Sequence, residues 1–394
     1  MSGSITNISL AGAEFWICAL AGIVAIKLSP NPVLKRVSFF IVNIVFLALL
    51  LAPLPIIVFG IVFILLNFIK DRLYVLLTVI LGILFVAHKR PDLVHSLQLR
   101  FPTILDSVHI ELVNPILAML GFSYLMLRVI ELAVAVFEKR HPAPGLVDTV
   151  NYLVPFHMIA MGPIQSYDDF IQEKDVIDEP LSFDDALQAV ERIVRGLFKK
   201  FVLAYFIDSM LLTGFQSDGW YLLFEIQVFA FWIYLDFSAY MDVVIGLGKL
   251  MGISTPENFN RPYLARNITV FWERWHITLS MFIRRNIFVP IQLYVARKTR
   301  GMNSLLPASL AFLVSFVFCG IWHGLTWKFF VWGLLHALAL IICNAYRTVL
   351  RSTLTTDRLK RYSSSFAIRS MATILTFEFI AFSFYVAFYP VRYS

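Results

Sequence analysis

The chain has 394 residues, 59% of them hydrophobic and only 15% charged, with 37 Phe, a net charge of +7 and a mean hydropathy of +0.76. A soluble domain is roughly 45–50% apolar and about 25% charged, so this balance excludes a soluble enzyme and predicts a polytopic membrane protein. The excess of Lys and Arg sits in the connecting loops, the positive-inside distribution of a membrane protein, so the net charge requires no nucleic acid partner.

In chain order, apolar windows long enough to cross roughly 30 Å of hydrocarbon fall near 11–29, 37–52, 54–69, 73–88, 110–137, 200–215, 220–249, 304–321, 325–346 and 367–390. No cleavage signature accompanies the first, which reads as a retained span. Pro53 and Pro55 divide a long apolar run into two spans, because proline removes a helical donor and clashes with the preceding turn. Residues 148–166 are apolar but short and carry Pro155 and Pro163, so they predict a re-entrant or interfacial segment. The fold class expected is an all-α polytopic membrane protein of about 10–11 transmembrane helices, with re-entrant and interfacial helices. No internal repeat is visible, so residues 1–394 read as one domain, with N-terminal helices over 1–148 and a motif-bearing core over 149–394. Cys18, Cys319 and Cys343 lie far apart in apolar runs and are expected to be buried small hydrophobes. The basic loops at 261–300 and 347–361 are expected on the cytoplasmic side, with the N-terminus outside.

Residues 234–280, YLDFSAYMDVVIGLGKLMGISTPENFNRPYLARNITVFWERWHITLS, begin in an apolar window yet carry Asp236, Ser238, Asp242, Glu257, Asn258, Arg261, Arg266, Arg274 and His276. Charges at membrane depth cost at least about 2.5–3.5 kcal/mol each unless paired or hydrated, so they face a protein interior or a wet cavity. One reading pairs Asp236 and Asp242 with Arg261 or Arg266; the other makes the segment a functional site. His323, in FCGIWHGLTWKFFVWG, is an imidazole inside an apolar run, and imidazole takes and gives protons near neutrality. A positioned base of this kind serves a reaction that also needs hydrogen-bond donors for developing negative charge. Trp322 and Trp327 would make apolar walls that exclude water, Gly324 would allow close approach of a substrate, and Thr326, Asn258 or His276 could donate hydrogen bonds. His336 and His157 read as structural. His323 could instead cap a helix kink.

The segments DFSAYMD, ENFNRPY, FWERWHITLS and WHGLTW, in this order, together with MGPIQSY at 161–167, resemble the signature of the membrane-bound O-acyltransferase superfamily, in its bacterial polysaccharide-modifying branch. The resemblance implies helices around a central funnel or tunnel, with His323 and His276 as catalytic residues. By the same analogy Trp322, Trp327, Asn258, Asp236, Ser238 and Arg274 are substrate-binding candidates. It also implies an acyl thioester donor, either an acylated carrier protein with its phosphopantetheine or acyl-CoA, and no bound cofactor or metal. The acceptor would be an extracytoplasmic cell-envelope polymer, reached directly or through a relay protein, and the location the bacterial cytoplasmic membrane with its lipids. The chain departs from the family where Ser238-Ala239 replaces a glycine turn and where Arg284-Arg285 replaces an Arg-Asp pair. The basic run containing Arg284 and Arg285 is a candidate docking surface for an acidic carrier protein.

Other chemistries lack support. HKRPD at 88–92 has a common H-x-x-x-D spacing in a polar loop, and GFSYL at 121–125 lacks the second glycine of a nucleophile elbow. No P-loop, dinucleotide fingerprint, CxxC or HExxH is present. A transporter or flippase is the rival class, but the polar residues cluster in the C-terminal half and show no matching pseudo-repeat.

Overall fold

Proline, glycine and the apolar windows predict where helices begin and end, and the computed structural model describes residues 10, 12–50, 121–173, 180–212, 220–300 and 305–389. The windows at 54–69 and 73–88, the start of 110–137 and the HKRPD motif lie outside the described residues. The helices are α1 Ala13–Leu28, α2 Pro32–Leu50, α3 Phe122–Phe137, α4 Leu146–Leu153, α5 Tyr167–Glu173, α6 Phe183–Phe198 and α7 Tyr205–Leu212. They continue as α8 Trp220–Met251, α9 Ile268–Trp272, α10 Ile277–Ile283, α11 Val289–Lys298, α12 Leu306–His323, α13 Trp327–Thr353, α14 Thr356–Ser364 and α15 Phe366–Phe388. Among the described residues five helices, α2, α8, α12, α13 and α15, are long and apolar enough to cross a membrane, and there is no strand beyond one isolated bridge. The protein is thus an all-α polytopic membrane protein.

The chain divides into two units, Met1–Gly196 with Tyr240–Pro256, and Leu197–Ala239 with Glu257–Ser394. In the first, α1 and α2 pack through a cluster of Phe15, Phe39, Phe46 and Phe156. The segment expected to be re-entrant, residues 148–166, forms most of α4 and the buried turns that lead from it to α5, with no helix long enough to span. Arg128 of α3, 1% exposed, holds these turns by donating to the carbonyls of Tyr152 and Pro163 at 2.6 Å each. That residue was not singled out in the sequence, because an arginine in an apolar helix carries no mark of which carbonyls it satisfies. His157 is fully buried there, faces Thr255 Oγ1 at 3.3 Å, and is held by burial, and then by Arg128, down to about pH 3. A group neutral throughout the working range fits its structural assignment.

The expected pairing of Asp236 and Asp242 with loop arginines does not occur. Asp242 accepts from Arg192 at 3.0 Å and lies 3.6 Å from Arg195, both on α6, while Asp236 pairs with Lys200. Arg261 and Arg266 are exposed instead. The reason is that a helix lying alongside another presents a fixed ridge at i, i+3 and i+4, and a cation on that ridge reaches a carboxylate without ordering a loop. Lys199 and Lys200 start a π-helix, Lys199–Ala204, between α6 and α7.

In the second unit α12 and α13 form a tight hairpin. A Cβ on Gly320 would stand 2.2 Å from the Phe329 carbonyl oxygen, and one on Gly333 would stand 2.3 Å from that of Phe316. Neither backbone can yield without moving a helix. Gly320→Ala is therefore expected to destabilise the protein by about 1–3 kcal/mol and to lower the temperature of half-inactivation in detergent. Gly145→Ala, where a Cβ would meet nothing within 4 Å, serves as the control and should leave it unchanged. Cys319 and Cys18 are buried as expected; Cys343 is half-buried and accepts from Thr269 Oγ1 at 3.7 Å.

Candidate active site

The loop between α8 and α10 is built to present one imidazole. Phe259 and Trp275 form an antiparallel bridge, with Asn260 N–H donating to the Arg274 carbonyl at 2.9 Å and Ile277 N–H to the Asn258 carbonyl at 3.1 Å. At one end of this clasp His276 takes a left-handed conformation with φ 44°, unusual for a residue with a Cβ, and caps α10. Strain of this kind persists where the surroundings over-determine it. Asn258, fully buried, accepts on Oδ1 from Thr278 N–H at 3.1 Å and Thr278 Oγ1 at 3.0 Å, and the same oxygen lies 3.3 Å from His276 Nδ1. Because the backbone N–H of Thr278 can only donate, Oδ1 is the acceptor. His276 Nδ1 therefore carries the proton and Nε2 the lone pair. Burial, and then the neighbouring His323, push His276 down to about 3, so the ring is neutral at working pH.

Phe237 packs edge-on against the His276 ring at 4.9 Å. Its neighbours in sequence are held by the π-helix: Asp236 by Lys200, and Ser238 by Lys199 at 3.5 Å. Asp236 and Ser238 thus contact lysines, and through Phe237 they fix the surroundings of His276. Arg274 contributes its backbone carbonyl to the clasp, and its side chain is half-exposed.

His323 is the last residue of α12, half-buried, in an aromatic box. Trp322 lies at 4.8 Å, Trp332 at 5.2 Å and 88°, Phe388 at 5.1 Å and 89°, and Phe329 stacks at 6.0 Å. Trp322 also meets His276 at 6.3 Å, so one indole touches both imidazoles. The structure therefore brings together His323, His276, Trp322 and Asn258. Trp332, 1% exposed, has an indole N–H with no hydrogen-bond partner among the described residues, a donor beside His323 that the sequence reading missed.

Two expectations are corrected. Trp327 is 75% exposed and stacks on Phe330 rather than walling the site. At about 100° per residue, the α13 face toward His323 carries Phe329, Trp332 and His336, and Trp327 points away from it. The space at Gly324 is filled by the Phe329 ring, 2.5 Å from where a Cβ would stand, and not left to a substrate. His336 is buried and structural: it accepts from Trp272 Nε1 at 3.3 Å and faces Ser383 Oγ at 3.1 Å. Thr326 is exposed at the start of α13. Arg284 is exposed and Arg285 half-exposed, on a second π-helix, Arg284–Phe288. No group of three metal-ligating side chains occurs among the described residues.

An imidazole at the end of a spanning helix, a second one locked in a single tautomer, and apolar walls around both are features that an acyl-transfer site would need. Residues 64–386 match the membrane-bound O-acyltransferase family, and the chain belongs to it. It is a multi-pass membrane O-acyltransferase. The chain is 28% identical over 309 residues to the teichoic acid D-alanyltransferase of Streptococcus thermophilus, covering 74% of each protein. It is 25% identical over 280 residues to that of Bacillus subtilis, covering 69% of each. A peptidoglycan O-acetyltransferase of Helicobacter pylori is 34% identical over 207 residues, 51% of this chain and 38% of that protein.

Proposed function

We propose that this enzyme moves an acyl group, D-alanyl in the first instance and acetyl in the second, from a cytoplasmic thioester to a hydroxyl of an extracytoplasmic cell-envelope polymer, directly or through a relay protein. The observation that carries the reading is the pair of imidazoles, His323 and His276, against the one Trp322 ring. The preference for D-alanyl rests on the D-alanyltransferase relatives, which match over most of both chains. The family match runs through both units, which supports treating 1–394 as one catalytic domain, and the bacterial relatives support placing it in a bacterial cytoplasmic membrane.

In this reading His323 takes the proton of the acceptor hydroxyl as its oxygen adds to the thioester carbonyl. The tetrahedral intermediate then collapses, the C–S bond breaks, and the imidazolium returns the proton to the departing sulfur. His276, with its lone pair on Nε2, orients the acceptor hydroxyl. The Trp332 indole N–H is a candidate donor to the oxyanion. Trp322 and the phenylalanines keep competing water out. The test is to supply the purified enzyme with D-alanyl and acetyl thioesters, on a carrier protein or on coenzyme A, and to measure ester formed on envelope polymer. Formation of neither ester from any of these donors would refute the proposal.

The donor side carries its own prediction. Arg261, Arg266, Arg284, Arg297, Lys298 and Arg300 are exposed in the basic segment, which fits an acidic carrier protein. Complementary charge acts mainly on encounter rate and fades with salt. Arg284→Glu with Arg285→Glu is expected to slow carrier-dependent transfer about tenfold or more at low salt and less at high salt, within the range of electrostatic steering. Wild-type rates across that salt range would show that the carrier docks elsewhere.

A further inference from the structure

Glu225 lies near the start of α8 and is 4% exposed. A carboxylate within a spanning helix is costly and normally marks a functional contact. Tyr385 Oη donates to one of its oxygens at 3.2 Å and Tyr389 Oη donates to the other. These tyrosines, one turn apart at the end of α15, stack on each other at 4.3 Å, and Phe229, one turn along α8 from Glu225, packs edge-on against both. Further along the same two helices Gln227 Nε2 donates to both oxygens of Glu378 at 3.0 and 3.3 Å, while Ile226, Ala230 and Ala381 fill the seam. Small apolar residues alone would let helices slide in a bilayer; a buried acid with two directional donors sets one register.

The residue placed by that register is Phe388, between the two tyrosines in the helical turn. Its ring meets His323 edge-on at 5.1 Å and completes the box with Phe329 at 5.2 Å and Trp332 at 5.7 Å.

We infer that Glu225, through Tyr385 and Tyr389, is a positioning residue that holds Phe388 against His323 and so keeps water from the acyl group during transfer. The inference rests on the thioester reading above. Water competes with the acceptor hydroxyl for the same carbon: its oxygen adds to the carbonyl, the C–S bond breaks, the free acid leaves, and the sulfur takes up the proton. A displaced Phe388 admits that water without removing the base.

The test uses the full-length enzyme with D-alanyl thioester and polymer, and measures the ratio of free acid to acyl ester. Glu225→Leu and Phe388→Ala are each expected to raise that ratio about tenfold or more, and Phe388→Leu to restore it toward wild type. A merely structural role would lower acid and ester together and leave the ratio unchanged. Tyr389→Phe, which deletes one donor and no volume of the ring, replaces Glu225→Leu if that variant fails to accumulate. A second readout needs no donor: diethyl pyrocarbonate labelling of His323, followed by mass spectrometry of its peptide, should rise severalfold in the same variants. An unchanged ratio with unchanged labelling would overturn the inference. If the wild type forms no ester while labelling still rises, the thioester reading fails and the positioning role stands.

Discussion

His323→Ala is expected to lower acyl transfer by about 10²–10⁴-fold, the contribution of a positioned general base, while the protein still inserts and accumulates. The prediction follows from the placement of the ring: it ends α12 and is half-buried among Trp322, Phe329, Trp332 and Phe388. A helix-capping histidine would have its nitrogen bound to a backbone carbonyl, and its loss would show as reduced stability. Two measurements separate the cases: the turnover rate at saturating donor, and the temperature of half-unfolding in detergent. Full turnover with a lowered unfolding temperature would assign His323 to structure.

His276→Ala is expected to cost about 10²–10³-fold in rate, comparable to the loss of one preorganised group at the reacting centre. The tautomer sharpens this. With Nδ1–H committed toward Asn258 and the lone pair on Nε2, the role proposed for His276 is to accept the hydrogen bond of the acceptor hydroxyl. The loss should therefore be seen with polymer acceptors and be smaller for hydrolysis, in which water can orient itself. Because the ring is held down to about 3, it contributes no limb to the pH–rate profile between pH 5 and 9. It also contributes to acid lability. In the unfolded chain an imidazole binds a proton below about 6.5, so stability owed to the neutral buried ring falls as pH drops from there toward 3. Equal losses in transfer and hydrolysis would return His276 to the role of holding the loop.

The composition of the chain was sufficient to determine that it lies in a membrane and is helical, because a spanning segment in hydrocarbon has few ways to satisfy its backbone. The order of DFSAYMD, ENFNRPY, WHITLS and WHG was sufficient to point to acyl transfer, and His323 and His276 stand out as its candidates because ionisable side chains are conspicuous in an apolar background. The partners of the charged residues were not legible. Asp236 meets Lys200 and Asp242 meets Arg192 because of which ridges of α6 and the π-helix lie beside α8, and register between helices is set by packing along their whole length. The same holds for Trp327, which is near His323 in sequence yet turned away by a few residues of helical phase, and for Phe388, 65 positions distant yet in contact with it. Sequence offers the candidate reacting groups because their chemistry is intrinsic. The walls, the tautomer of His276 and the clamp at Glu225 depend on distances across helices, and those exist only once the helices have packed.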